Sequence, residues 1–333
     1  MQLDRPGPIS GAPLTRVDVP PVPPARLSAG EIEIAADACG VCRTDLQLCE
    51  GDLTARSLPI VPGHQIVGRV VRVADDVAHR AVGDRVGVAW IAGTCGTCRF
   101  CTTDRENLCE SAEFTGWDRD GGYADLVTAR AEFTYSLPDD GPGDADLAPL
   151  LCGGAIGYRA LRLTGIDSGG RLGLYGFGAS ATSVIQMARH QGCEVFVATR
   201  SPPEQERARR LGAVWAGPYD ESPPVPLDAA ITFAPVGDVV VAALRATDRG
   251  GTVVINAIHL DRIPEFSYDL LWWERSIRSV ANVTRADVEG ALRLAREIPI
   301  LTDIQTYPVA EANTALGDLE AGDVSGAAVL VSD

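Results

Sequence analysis

The chain has 333 residues, 46% of them hydrophobic, and a formal net charge of −16, which suits a soluble globular protein of two domains with separate cores. All 29 basic residues are arginine, so Schiff-base lysine chemistry and a P-loop lysine are excluded. The dispersed acidic surplus argues against nucleic-acid partners and anionic membranes. No apolar run approaches the roughly 18 to 20 residues that span a bilayer, and the first residues lack a secretory pattern, so a cytoplasmic location is expected.

The proline run "VPPVPPA" at 19–25 reads as a surface connection. From residue 25 to about 140 the texture is β-rich, with "EIEIAADA", "IVGRVVRVADDV", "GDRVGVAW" and "GGYADLVTA" as short strands between Gly and Asp turns. Inside this region "CGTCRFCTTDRENLC" sets Cys95, Cys98, Cys101 and Cys109 at C-x2-C-x2-C-x7-C. Turns at three-residue spacing bring thiolates together on one ion, and four thiolates suit a closed, structural zinc site. Related spacings also hold iron–sulfur clusters, although no further redox-cofactor feature accompanies them. Three dispersed residues offer a second set: Cys42 in "GVCRTD", His64 in "VPGHQIVG" and Cys152 in "PLLCGGAIGYRAL". Two thiolates and an imidazole make a catalytic zinc site that keeps one position open. Cys39 and Cys42 also form a C-x-x-C pair, the pattern of a dithiol, without thioredoxin-like surroundings. Cys49 and Cys193 read as small apolar residues.

Residues 170–282 instead alternate strand and helix. The strands are "RLGLYGF", "EVFVAT", "LDAAITF", "GTVVINAI" and "RSIRSVAN"; the helices are 180–192, 202–212 and 236–250. Such alternation predicts a doubly wound parallel sheet. After the first strand, Gly176, Phe177, Gly178, Ala179, Ser180 and Ala181 form a G-x-G-x-x-A turn that opens a helix, a place for a dinucleotide pyrophosphate. The second strand ends in Thr199, Arg200 and Ser201, where an NAD enzyme presents an acid to the ribose. Donors and positive charge there favour NADP(H) over NAD(H). Ile258 closes the 251–258 strand and is grouped with the cofactor residues, while His259 beyond it has only a weak case. His79 and His190 read as surface residues. The last helices and strands, from 284 to 332, are expected to return to the first domain.

Together, "GVCRTD", "PGH", "GDRVGV", the cysteine loop, "GGYAD" and "YGFGAS" resemble the zinc-dependent medium-chain alcohol dehydrogenases, closest to bacterial and cinnamyl-type members. The resemblance implies an α/β protein: a GroES-like β-barrel catalytic domain, here 1–150 with 285–333, plus a Rossmann doubly wound parallel-sheet domain, 151–284. It implies Cys42, His64 and Cys152 as catalytic zinc ligands, and the four-cysteine loop as a second, structural zinc. Thr44 would hydrogen-bond the substrate oxygen, Asp45 would hold His64, and Arg43 would meet the pyrophosphate. Trp90 would wall the substrate pocket, with Phe114 and Trp117 nearby. Two positions depart from the family pattern. Gln65 replaces a frequent carboxylate, and Gln47 replaces a proton-relaying His, which an amide cannot imitate.

The expected function is hydride transfer between NADP(H) and a primary alcohol or aldehyde, in the direction of aldehyde reduction, by a homodimer or homotetramer. Two alternatives stay open. One is a zinc-family reductase of an imine or activated alkene; the other is a non-catalytic, zinc-stabilised nucleotide-binding or redox-sensing protein using Cys39 and Cys42.

Overall fold

The computed structural model describes residues 1–18, 27–258, 260 and 262–332; the proline run and His259 lie outside them. The chain forms two compact units, one of Met1–Cys152, Asn282–Leu292 and the residues from Thr302 onward, the other of Gly153–Ala281 and Arg293–Leu301.

The first unit is built on the strand Glu31–Val41, whose apolar side chains are buried along almost its whole length. It pairs antiparallel with Gln65–Val73, Leu126–Arg130 and Ala327–Val331. Arg85–Val88 and Thr134–Ser136 extend the sheet on one side, and Ile304–Pro308 on the other. The C-terminal strands therefore complete this sheet. Register does the positioning: Gly40 pairs with Gln65, so the antiparallel strands bring Cys42, just past one strand, to His64, just before the other. Between them lies Gly63 at φ +96°, where a Cβ would collide with the Tyr123 ring and stand 2.8 Å from Cys39 Sγ. Gly63→Ala is therefore expected to destabilise this unit by about 2 kcal/mol or more, read as a lower denaturation midpoint.

The second unit holds six parallel strands in the spatial order Trp215–Gly217, Glu194–Ala198, Arg171–Tyr175, Leu227–Thr232, Thr247–Ile255 and Ser276–Ser279. Numbered along the chain this is 3-2-1-4-5-6, the Rossmann order, with its reversal beside Arg171–Tyr175. Helices Ala179–His190, Pro202–Arg210 and Gly237–Ala246 make the connections. The last of these is shorter than the expected 236–250. β-Branched Thr247 starts the next strand by pairing with Leu227, and its hydroxyl returns to the Ala243 carbonyl at 2.7 Å, closing the helix. Residues 293–301, which the sequence reading grouped with the barrel, belong to this unit. Gln186 holds both the N–H and the C=O of Leu301 at 2.8 and 2.9 Å, and His190 meets Glu297 at 3.3 Å.

Candidate active site

Cys42 opens the helix Arg43–Glu50 in extended conformation, and Asp45, one turn on, reaches back to it. One Asp45 oxygen accepts the Cys42 N–H at 2.9 Å; the other accepts the Gly63 N–H and the His64 Nδ1–H, both at 3.2 Å. Asp45 is thus the tie between the two segments that carry Cys42 and His64. Because Nδ1 is spent on Asp45, Nε2 is the free nitrogen, and it lies 3.5 Å from Cys42 Sγ. Cys152 follows the turn Ala148–Leu151, and its sulfur, Cys42 Sγ and the His64 nitrogen all lie within 4.8 Å of one another. Bonds of about 2.0–2.3 Å to a tetrahedral zinc would set ligand separations of roughly 3.5–3.8 Å, so this donor set fits that ion with one position free. The electrostatics agree. The Cys152 thiol donates to Cys42, which, with the neighbouring His64, holds Cys42 well below an ordinary thiol; Cys152, as that donor, is pushed up.

Cys39 does not join this group. Its sulfur is buried against Gly63 and Gly122, and burial pushes its thiol well up, which makes it a packed apolar side chain rather than half of a dithiol. Cys49 is fully buried, and Cys193 turns toward the Asp167 carbonyl. Thr44 is half-buried in the first helical turn beside Cys42, Arg43 is exposed, and Gln47 is half-buried one turn along. Gln65 is buried with its amide packed on Gly40.

The three aromatic residues singled out in the sequence come together beside His64. The Trp90 ring meets the imidazole edge-on at 4.8 Å and stacks on Phe114 at 4.9 Å and Trp117 at 5.9 Å. Arg56, which sequence reasoning missed, covers the Trp117 ring at 3.8 Å.

The four-cysteine loop closes on itself. Separations are 3.5 Å for Cys98–Cys101, 3.6 Å for Cys95–Cys109 and 3.9 Å for Cys95–Cys101. All four sulfurs lie within 4.8 Å of one another, which leaves room for one ion and too little for a multi-iron cluster. Backbone N–H groups of Thr97 and Cys98 and the Cys109 thiol lower Cys95 to about 6, whereas burial raises Cys109 to about 11.

In the second unit, Gly176 takes φ +94° and passes close to Ala234, and Gly178 precedes the twelve-residue helix Ala179–His190. A Cβ on Gly178 would meet nothing within 4 Å and Gly178 is exposed, so the approach to the start of this helix is open at that residue, as backbone binding of an anion requires. The Phe177 ring is 2% exposed, which leaves only its backbone available to a nucleotide. At the next strand end the expected donors are differently engaged. Thr199 donates to the Glu204 carboxylate at 2.7 Å, and the Ser201 oxygen accepts the Glu204 N–H as cap of the helix Pro202–Arg210. Ser201-Pro-Pro-Glu204 has the S-x-x-E pattern of a helix start, a signal present in the sequence and overlooked, and the Ser201 half of it forms while the Glu204 carboxylate takes Thr199. Arg200 is left as the exposed cation there, and Ile258 is 61% exposed.

Comparison with known proteins agrees with this geometry. Residues 28–139 match the alcohol dehydrogenase GroES-like domain, and residues 181–297 match the zinc-binding dehydrogenase domain. A probable alcohol dehydrogenase, AdhA, of Mycobacterium tuberculosis is 48% identical over 336 residues, covering 99% of this chain and 96% of that protein. A cinnamyl alcohol dehydrogenase from Sorghum bicolor superposes with a TM-score of 0.84 at 26% identity, over 93% of both chains. A cobalt- and zinc-bound thermostable alcohol dehydrogenase from Pyrobaculum aerophilum gives 0.87 at 23% identity, over 99% of this chain and 98% of that one, and shares the fold. The chain belongs to the zinc-dependent medium-chain alcohol dehydrogenase family and is an oxidoreductase of that family.

Proposed function

We propose that the enzyme interconverts a primary alcohol and its aldehyde, with NADP(H) preferred over NAD(H) and aldehyde reduction as the working direction. The observation that carries this reading is the convergence of Cys42, His64 and Cys152, with His64 held in one tautomer by buried Asp45. In it, these three residues hold one zinc ion, and Cys95, Cys98, Cys101 and Cys109 hold a second. The first ion, when bound, supplies Lewis-acid polarisation of the substrate oxygen. Thr44 hydrogen-bonds that oxygen and moves its proton. Gln47 has no basic site at neutral pH, so water finishes the relay. Backbone N–H groups of Ala179 and Ser180 receive the pyrophosphate, and Trp90, Phe114 and Trp117 wall the substrate. Metal counting together with an NADPH-linked screen of aldehydes tests the reading; two zinc ions per chain and an alcohol product are expected.

Arg200 carries the cofactor preference, since Thr199 and Ser201 are engaged with Glu204. Losing one charge-assisted contact to the 2′-phosphate is expected to lower kcat/KM for NADPH about tenfold or more in Arg200→Ala, with NADH use unchanged. Equal losses with both coenzymes would place Arg200 elsewhere.

The second reading, reduction of an imine or activated alkene, is favoured by one observation: Gln47 stands in the relay position. A saturated carbonyl or an amine as product would establish it. The homodimer or homotetramer implied by the family likeness is read by light scattering.

A further inference from the structure

We propose that Arg56 is a specificity-determining residue, a positioning residue that acts on the substrate wall from behind. Its guanidinium fixes Trp117, and through it Trp90, so that substrates carrying a planar, conjugated group meet a ring surface of set orientation. The inference rests on the alcohol–aldehyde reading above.

The ties are several and they converge. The Arg56 guanidinium lies 3.8 Å from the Trp117 ring centre and 5.6 Å from that of Phe114, inside the range of a cation–π contact. The same group pairs with both oxygens of Asp118 at 3.0 Å. Asp118 is in turn locked to the wall, because it accepts the Phe114 N–H at 2.9 Å and its own N–H reaches the Phe114 carbonyl. Trp117 Nε1 donates to the Thr54 carbonyl at 2.9 Å, a second link between the same two chain segments. From Arg56 the planes then run in series. Trp117 and Trp90 are 13° from parallel, Trp90 and Phe114 26°, and Trp90 meets the His64 imidazole at 71°.

Stability alone is a poor account of this arrangement. The Arg56 side chain is 45% exposed, and an ion pair so placed contributes little to folding. What it does constrain is orientation. A flat guanidinium stacks on indole while its Nη1 reaches both oxygens of the carboxylate, whereas a lysine ammonium supplies the charge without the plane. Ring–ring contacts depend on the angle between planes, so a loosened Trp117 affects ring-bearing substrates before it affects short aliphatic ones.

The test compares wild type, Arg56→Ala and Arg56→Lys on an aryl aldehyde and on a short saturated aldehyde with NADPH. In Arg56→Ala the aryl KM is expected to rise about tenfold, with kcat and both saturated-aldehyde constants within about twofold. Arg56→Lys is expected to recover less than half of that loss. The circular-dichroism band from the coupled Trp90 and Trp117 indoles should weaken in both variants, which a change confined to surface charge would not cause. An unmoved aryl-to-alkyl ratio, an equal loss on both substrates, or full rescue by lysine overturns the inference. If wild type turns over neither aldehyde while binding NADPH, the alcohol–aldehyde reading fails and the inference goes with it. If wild type is active and the ratio is unmoved, only the inference fails.

Discussion

Cys42→Ala is expected to leave one zinc ion per chain instead of two and to lower kcat/KM for aldehyde reduction at least about a thousandfold. The size follows from how the site is assembled. The Cys152 thiol and His64 favour the ionised form of Cys42 over that of an ordinary thiol, so its removal takes away both a ligand and the sulfur of the cluster readiest to meet a cation. His64 and Cys152 remain, but one thiolate and one imidazole hold zinc far less well than two thiolates and an imidazole. The fold should survive, because the Asp45 bonds to His64 and to the backbone of Gly63 and residue 42 do not use the sulfur. Mass spectrometry of the native protein reads the metal count, and far-ultraviolet circular dichroism checks the fold. A variant that keeps both ions, or keeps turnover with one, would place the reaction away from Cys42. The non-catalytic alternative predicts no turnover even in the wild type.

What the sequence displayed and what it hid divide along local and non-local lines. The four-cysteine loop is written in consecutive spacings, and its sulfurs meet as the spacing requires. The glycine turn was legible because a strand and a helix flank it, and its backbone takes the expected left-handed angle at Gly176. Cys42, His64 and Cys152 lie far apart in the chain, and no spacing rule joins them. Likeness to the family singled them out, and the Gly40–Gln65 register supplies the physical reason that two of them meet. Side-chain choices are the less legible part. Thr199 reads from sequence as a donor to a phosphate, and in the folded chain a closer acceptor, Glu204, takes its hydroxyl. Arg56 carries no motif, since its importance comes from Trp117 and Asp118, which only folding brings to it. The helix thought to reach 250 stops at Ala246 because sheet pairing of Thr247 outweighs continued helical turns.

Cys109→Ser is expected to remove the other ion and to cost the region around the loop about 3 kcal/mol or more, seen as faster hydrogen exchange over residues 91–119 and earlier heat inactivation. Serine nearly preserves the shape, so the effect isolates metal binding from packing. Cys109 is the buried member of the set and lies in an apolar cluster with Ile91, Phe114 and Phe133, against which Trp90 and Trp117 also pack. Loss of the ion should therefore reach Trp90 and Trp117, although the two candidate ligand groups share no residue. Acidity gives an independent check on the same site. In the metal-free loop Cys95, at about 6, is already largely ionised at pH 7, whereas Cys109, at about 11, still holds its proton. Binding an ion to four thiolates must therefore expel the Cys109 proton, and apparent affinity rises with pH throughout the neutral range. Below about pH 6 Cys95 takes up a proton as well, so affinity falls more steeply there. Competition with a chelator of known proton dependence, from pH 5.5 to 8, reads this slope. A slope near zero across the neutral range would mean that no protonated thiol of the loop joins the ion, against the four-cysteine site.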